Sequence, residues 1–228
     1  NSKEIGNIIK SHYNYHADCG DFLENINPIY QKRHNWLKQI DEWKNIYRFE
    51  YDKIDKLKTQ DVVSGINKFL INRNNYIITS GVGNHQMMSC QYIKWRFPKS
   101  FISSGSLGVM GTGLPYAIGV QIANPDKLII DIDGDGSFNH TLSELKTVSN
   151  YNLPIKIAII NDGHFSMVRN WEKLFFNERY TATNLNKNPD YVKLAESYGI
   201  KAIRCDNHSD LDKKIEYFLS YDKAILCD

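Results

Sequence analysis

Five short β-rich runs, YIITS at 76–80, KLIIDI at 127–132, IKIAII at 155–160, KAIRC at 201–205 and AILC at 224–227, recur along the chain, most of them bounded by turn residues. Stretches with helical apolar spacing fall between them, at 86–97, 112–122, 141–150, 166–176, 188–198 and 208–220. Upstream, WLKQIDEWKNIY from Trp36 and TQDVVSGINKFLI from Thr59 have the same spacing, and Thr59 is a candidate helix N-cap. Strands this apolar leave no face for water. The alternation therefore predicts a doubly wound α/β domain, a mainly parallel sheet with helices on both faces. Such sheets bind ligands beyond the carboxyl ends of their strands. Three segments occupy that place: SGVGNHQM, DGDGSF and NDGHFSM.

At 228 residues, 42% of them hydrophobic, the chain can bury one core and a small appendage, and it reads as one soluble globular domain. A net charge of +2 gives no electrostatic footprint for nucleic acid or an anionic membrane. No apolar stretch approaches the roughly 20 residues that span a bilayer, and no signal pattern opens the chain. Asn1 in place of an initiator Met marks a processed or excised chain. Cys19, Cys90, Cys205 and Cys227 lack C-x-x-C spacing, which predicts buried thiols in a reducing, intracellular compartment, cytoplasm or organelle, and not a disulfide framework. Residues 1–33, broken by INPIY at 26–30, read as a linker or the edge of a preceding central domain, with the ligand-binding domain at 34–228. His12, His16 and Cys19 share one helical face at i, i+4 and i+7, either a polar helix surface or a zinc set short of a fourth ligand.

The strand ends carry the chemistry. Gly134 and Gly136 flank Asp135, so the backbone can turn tightly beside a bulky group while a carboxylate stands at the mouth of the sheet. Ser137 leads into a helix whose first amides favour anions. A carboxylate beside an anion site repels the anion unless a cation lies between them, which points to a metal-bridged phosphate. Mg²⁺ suits such a site, because it takes oxygen ligands and joins one or two protein oxygens to phosphate oxygens. Asn161 or Asp162 would supply the second oxygen. A D-G-D-G alone is often a turn, and N-D-G a loop opener. Residues 137–160, however, leave room for one helix and one strand, enough to return the chain to an adjacent strand end.

G-D-G followed about two dozen residues later by an Asn pair is the signature of thiamine diphosphate enzymes, and TSGVGNHQM, SSGSLGVMGTGLPYAIG, DIDGDGSF, LPIKIAIIND and HFSMVRNWEKLFF narrow the match. From about Trp36 to Asp228 the chain resembles the C-terminal, diphosphate-binding domain of the acetolactate synthase (acetohydroxyacid synthase) family. The resemblance implies the thiamine diphosphate-binding fold. It implies Mg²⁺ bound by the side chains of Asp135 and Asp162 and the main-chain oxygen of His164. Gly136 and Ser137, with Asn84, His85 and Met87, would meet the diphosphate. Gly108 would face the aminopyrimidine through its backbone. Met110, which spacing alone assigns to the core, would wedge beneath the cofactor and hold it bent.

In the family, the cofactor decarboxylates pyruvate and ligates the two-carbon unit to a second 2-keto acid, in branched-chain amino acid biosynthesis. Met167, Val168 and Trp171 would line the substrate entrance, with Trp171 favouring 2-ketobutyrate, although spacing alone reads Met167 and Trp171 as a core stripe. A glutamate from a pyrimidine-binding domain of the same or a partner subunit, a homodimeric or tetrameric assembly, and FAD in a central domain are implied for the full-length protein. This part alone would be inactive. The alternatives are another 2-keto acid decarboxylase or carboligase of the superfamily, or a noncatalytic relic that kept the fold. The sequence departs from the family pattern at Asp162, where the family has Asn, at Asn84, where it has Gln, and at Ser106 and Ser166, where it has Gly.

Overall fold

A computed structural model describes residues 2–28, 30–185 and 187–228. Asn1, and Ile29 within the expected break at 26–30, lie outside the described residues. The chain divides into two compact units, Asn1–Arg48 and Phe49–Asp228, so the expected boundary at 33/34 falls inside the first.

The first unit carries two α-helices, α1 (Cys19–Glu24) and α2 (His34–Ile46). The Asp18 carboxylate accepts the Gly20 N–H at 2.7 Å and starts α1. Trp36 and Trp43, two turns apart on α2, meet edge to face at 5.6 Å. None of the described residues of this unit is buried. His12 and His16 lie in non-helical chain ahead of α1, so the helical face that would join them to Cys19 does not form. No group of three or more His, Cys, Asp or Glu side chains placed to hold a metal occurs among the described residues.

The second unit opens with α3 (Thr59–Leu70). Lys58, not Thr59, is its N-cap residue, because the carboxylate of Asp61 reaches back to accept the Lys58 N–H at 2.8 Å and leaves Thr59 inside the first turn. Six strands follow: β1 (Tyr76–Ser80), β2 (Phe101–Ser103), β3 (Leu128–Gly134), β4 (Lys156–Ile160), β5 (Lys201–Ile203) and β6 (Ile225–Cys227). They form one sheet in the order β2-β1-β3-β4-β6-β5, with every neighbouring pair parallel. Between them run α4 (Asn84–Tyr92), α5 (Gly113–Ala123), α6 (Asp135–Phe138), α7 (Leu145–Asn150), α8 (Ser166–Phe175), α9 (Tyr191–Ser197) and α10 (His208–Ser220).

The period of two along each strand separates two cores. On one face Ile129 and Ile157 pack with Leu114 of α5, Val148 of α7 and Tyr191 and Ala195 of α9. On the other, Ile130 and Ile132 pack with Ile66 and Leu70 of α3 and Ile215 and Phe218 of α10. This is the doubly wound arrangement. From β1 the chain moves outward to β2 and then crosses back to β3, so strand order reverses at β1/β3. Ligand crevices in such sheets open at that reversal, outside the carboxyl ends. No helix among the described residues is long and apolar enough to cross a membrane.

Candidate functional site

The carboxyl end of β3 runs straight into α6, so Asp135 stands at the strand mouth, 2% exposed. Its Oδ1 accepts the Gly136 N–H at 2.9 Å, and its Oδ2 accepts the Gly163 N–H at 2.9 Å and the Asn188 side-chain amide at 2.6 Å. The Gly163 bond joins the ends of β3 and β4 directly. Burial pushes the Asp135 carboxyl up to about 6, the charge of Asp162 adds to that, and the three hydrogen bonds oppose it. Asp162 itself is exposed. Its Oδ1 accepts the His164 N–H at 3.1 Å and its Oδ2 accepts the Ser166 hydroxyl. Asp162 and Ser166 are thus partners, since a glycine at 166 would have no hydroxyl to give the carboxylate.

A second wall comes from the start of α4. His85 is buried, with Nε2 3.1 Å from Oδ1 of Asp133, a close contact without hydrogen-bond alignment. A Cβ on Gly134 would lie 2.5 Å from His85 Nδ1, so the strand end can pass the ring only as glycine. Asp131 and Asp133, two apart and fully buried on the same face of β3, sit beneath. Thr79 donates to Asp131 Oδ1 at 3.0 Å. Burial, and then the charge of Asp133, hold the Asp131 carboxyl well above the usual carboxylate range. Two carboxylates in one dry pocket do not both ionise cheaply.

The third wall is the loop before α5. Ser137 Oγ accepts the Gly111 N–H at 2.9 Å, and the Thr141 hydroxyl donates to the Gly111 carbonyl at 2.8 Å. Gly111 has φ +77° and its Cβ would lie 2.7 Å from His140 Cβ, so only glycine closes this turn. Met110, pinned just ahead of it, belongs to neither core and turns into the crevice. The fourth wall is the start of α8, none of whose residues is buried.

These walls surround a crevice of about 150 Å³. Asn84, His85, Gly108 and Met110 line the crevice, as do Asp135, Gly136 and Ser137. Asp162, His164, Met167 and Val168 close it from the β4 side. Met87 and Trp171 do not line it. The Met87 N–H is used inside the helix, donating to the Gly83 carbonyl at 3.3 Å. Trp171 stands 56% exposed on α8, its ring 5.2 Å from that of Phe175, so Met167 and Trp171 form no core stripe. Asn84 turns its side-chain oxygen toward Asn170, which donates to it at 3.4 Å. Sequence reasoning missed Asn188, Asp131 and Asp133. The first had no signal beyond an Asn-Pro-Asp turn, and the two aspartates stood within KLIIDI and DGDGSF with no role attached to either.

The donor set suits a hard cation. Two carboxylates face one crevice; burial first and then the charge of Asp162 raise the Asp135 pKa, and a divalent ion between the two would offset both. Residues 81–228 match the family model of the thiamine pyrophosphate enzyme C-terminal TPP binding domain. The chain is 39% identical over 99% of its length to the mitochondrial acetolactate synthase catalytic subunit of Saccharomyces cerevisiae, covering 34% of that protein. It is 44% identical over 85% of its length to the acetolactate synthase large subunit of Cyanidium caldarium, covering 33%. With a probable acetolactate synthase large subunit of Methanococcus aeolicus it shares 39% identity over 85% of its length, covering 33%. The chain therefore spans about a third of the length of the curated relatives it matches.

Proposed function

We propose, from the premise that this chain belongs to the family of thiamine pyrophosphate enzyme C-terminal TPP binding domains, that it forms the diphosphate-binding part of an acetolactate synthase-like active site. The observation that carries this reading is the convergence of Asp135 and Asp162, from adjacent strand ends, on one crevice faced by Met110. Asp135, Asp162 and the main-chain oxygen of His164 would hold Mg²⁺. The amides of Gly136 and Ser137, with Asn84 and His85, would receive the diphosphate. Gly108 would offer its backbone to the aminopyrimidine, and Met110, an unbranched and polarizable side chain, would fill the bend beneath the cofactor. The chemistry that thiamine diphosphate supplies when bound is an electron sink for decarboxylating pyruvate and joining the two-carbon unit to a second 2-keto acid. Met167 and Val168 exclude water from that side of the crevice and shape the approach of the keto acids.

The glutamate that completes the chemistry would come from a pyrimidine-binding domain of the same or a partner subunit, within a homodimer or tetramer. The apolar residues left bare on α8, Trp171, Leu174 and Phe175, suit cover by such a domain. FAD would belong to the central domain of the full-length protein. The four cysteines are free, which fits a reducing compartment, but none is buried as expected: Cys19 and Cys90 lie on exposed helix surface and Cys205 and Cys227 are half-buried. The test is thermal unfolding of the chain with thiamine diphosphate, Mg²⁺, both or neither. The midpoint is expected to rise with both together, by about 2.7 kcal/mol of stability at a hundredfold excess over the dissociation constant. No shift with both would sink the reading. Carboligation of pyruvate by the full-length protein then separates an enzyme from a relic.

A further inference from the structure

The loop ahead of α9 brings a side chain to the strand mouth that belongs to neither strand. Asn188 donates through Nδ2 to Asp135 Oδ2 at 2.6 Å and to Asn161 Oδ1 at 3.2 Å. Its own Oδ1 accepts from Asn139 Nδ2 at 3.0 Å, and Asn139 Oδ1 accepts the Tyr191 hydroxyl at 2.9 Å. The relay fixes the amide orientation of Asn188. Flipped, it would set nitrogen against the Asn139 nitrogen and oxygen against a carboxylate.

We propose that Asn188 is a positioning residue for the cation site, locking the Asp135 carboxylate so that one acceptor position, on Oδ1, is left for the ion. The proposal rests on the thiamine diphosphate and Mg²⁺ reading above. A carboxylate offers about four lone-pair sites. On Asp135 two are filled at Oδ2, by Gly163 and Asn188, and one at Oδ1, by Gly136. Hydrogen bonds to a charged acceptor are the stronger kind, and this one runs between two loops. Removing it frees a second lone pair on Oδ2 and lets the carboxylate rotate. Mg²⁺ demands a near-ideal octahedron, whereas Ca²⁺ accepts a looser and often bidentate carboxylate. Asn188 therefore enforces the geometry that favours the smaller ion. Through Asn161 it also holds the end of β4 beside that of β3.

The experiment uses the full-length protein and titrates Mg²⁺, and separately Ca²⁺, at fixed thiamine diphosphate by calorimetry. Asn188→Ala is expected to raise half-saturating Mg²⁺ about ten- to hundredfold and Ca²⁺ by much less, a difference between ions that a general loss of stability would not produce. Asn139→Ala, which removes only the far tether, should lose less. An unchanged Mg²⁺ requirement in Asn188→Ala, or equal losses for the two ions, overturns the proposal. Asn188→Leu, of similar size but with no donor, carries the same expectation if the alanine variant does not fold. If the unaltered protein binds neither cofactor nor ion, the cofactor reading falls and this one with it. Normal binding by the unaltered protein beside an unaffected variant overturns this one alone.

Discussion

The carboxyl ends of β3 and β4 each deliver one carboxylate to the crevice, and they are built in opposite ways. Residues 131–138 are buried without interruption, whereas Asn161 and Asp162 are exposed. The β3 end is held by contacts from other elements, His85 beside Gly134 and Gly111 on Ser137. At the β4 end the carboxylate itself is held by its sequence neighbours, since His164 and Ser166 both bond to Asp162. One half of the site is preorganised by packing and the other by a local turn. Electrostatic strain gathers on the packed half, where water cannot screen it, and Asp135 shows it.

The largest effect should come from disturbing the packed end. Gly134→Ala places a methyl 2.5 Å from the ring of a buried histidine. It should lower stability by about 1–3 kcal/mol in denaturant unfolding. Gly163→Ala at the β4 end has φ +72° but open space around the new methyl. Its cost should stay near the lower figure, about 1 kcal/mol from backbone strain alone. Equal losses at the two sites would break the contrast.

Next in size is the pH response. In the ligand-free chain Asp135 titrates at about 6, above its ordinary 3.8. A raised folded pKa adds stability that is full below the unfolded value and is lost as pH rises through about 6. The cation needs the ionised form, so Mg²⁺-dependent cofactor binding should weaken as pH falls below about 6, approaching tenfold per unit. Calorimetry at pH 7 and pH 5 reads this directly, and a flat profile would count against Asp135 as a ligand.

The smallest effect concerns the exposed end. Two unit charges about 4 Å apart interact by roughly 4 kcal/mol at an effective dielectric near 20, but solvent around Asp162 reduces this to a few-fold change in binding. Asp162→Asn should shift the pH profile downward and tighten metal-free binding of thiamine diphosphate. Equal or weaker metal-free affinity in that variant refutes the self-repulsion argument. Ser166→Gly, which only unties Oδ2 of Asp162, should do less still.

Much of this was legible from the residues. The five apolar runs are strands because nothing else buries consecutive Ile and Leu on both faces, and the glycine-framed Asp135 stood out for the same reason. β2 escaped notice because three residues within FISSG, half-buried and beside serines, carry no pattern of their own. It is a strand because β1 offers it an edge. Met110 and the start of α8 were ambiguous because a crevice lining and a core lining use the same side chains, and only the fold decides which faces what. Asn188 could not be read at all. Its meaning lies in two carboxyl-end partners distant in sequence, and one asparagine among many in NLNKNPD gives no hint of them.

The outermost strands, β2 and β5, are three residues long each. Margins that brief present scant template for recruiting a foreign backbone. Overproduced material that misbehaves should therefore do so by adhesion through the uncovered rings of Trp171 and Phe175, giving amorphous clumps that mild detergent disperses, and not by growth into ordered fibres.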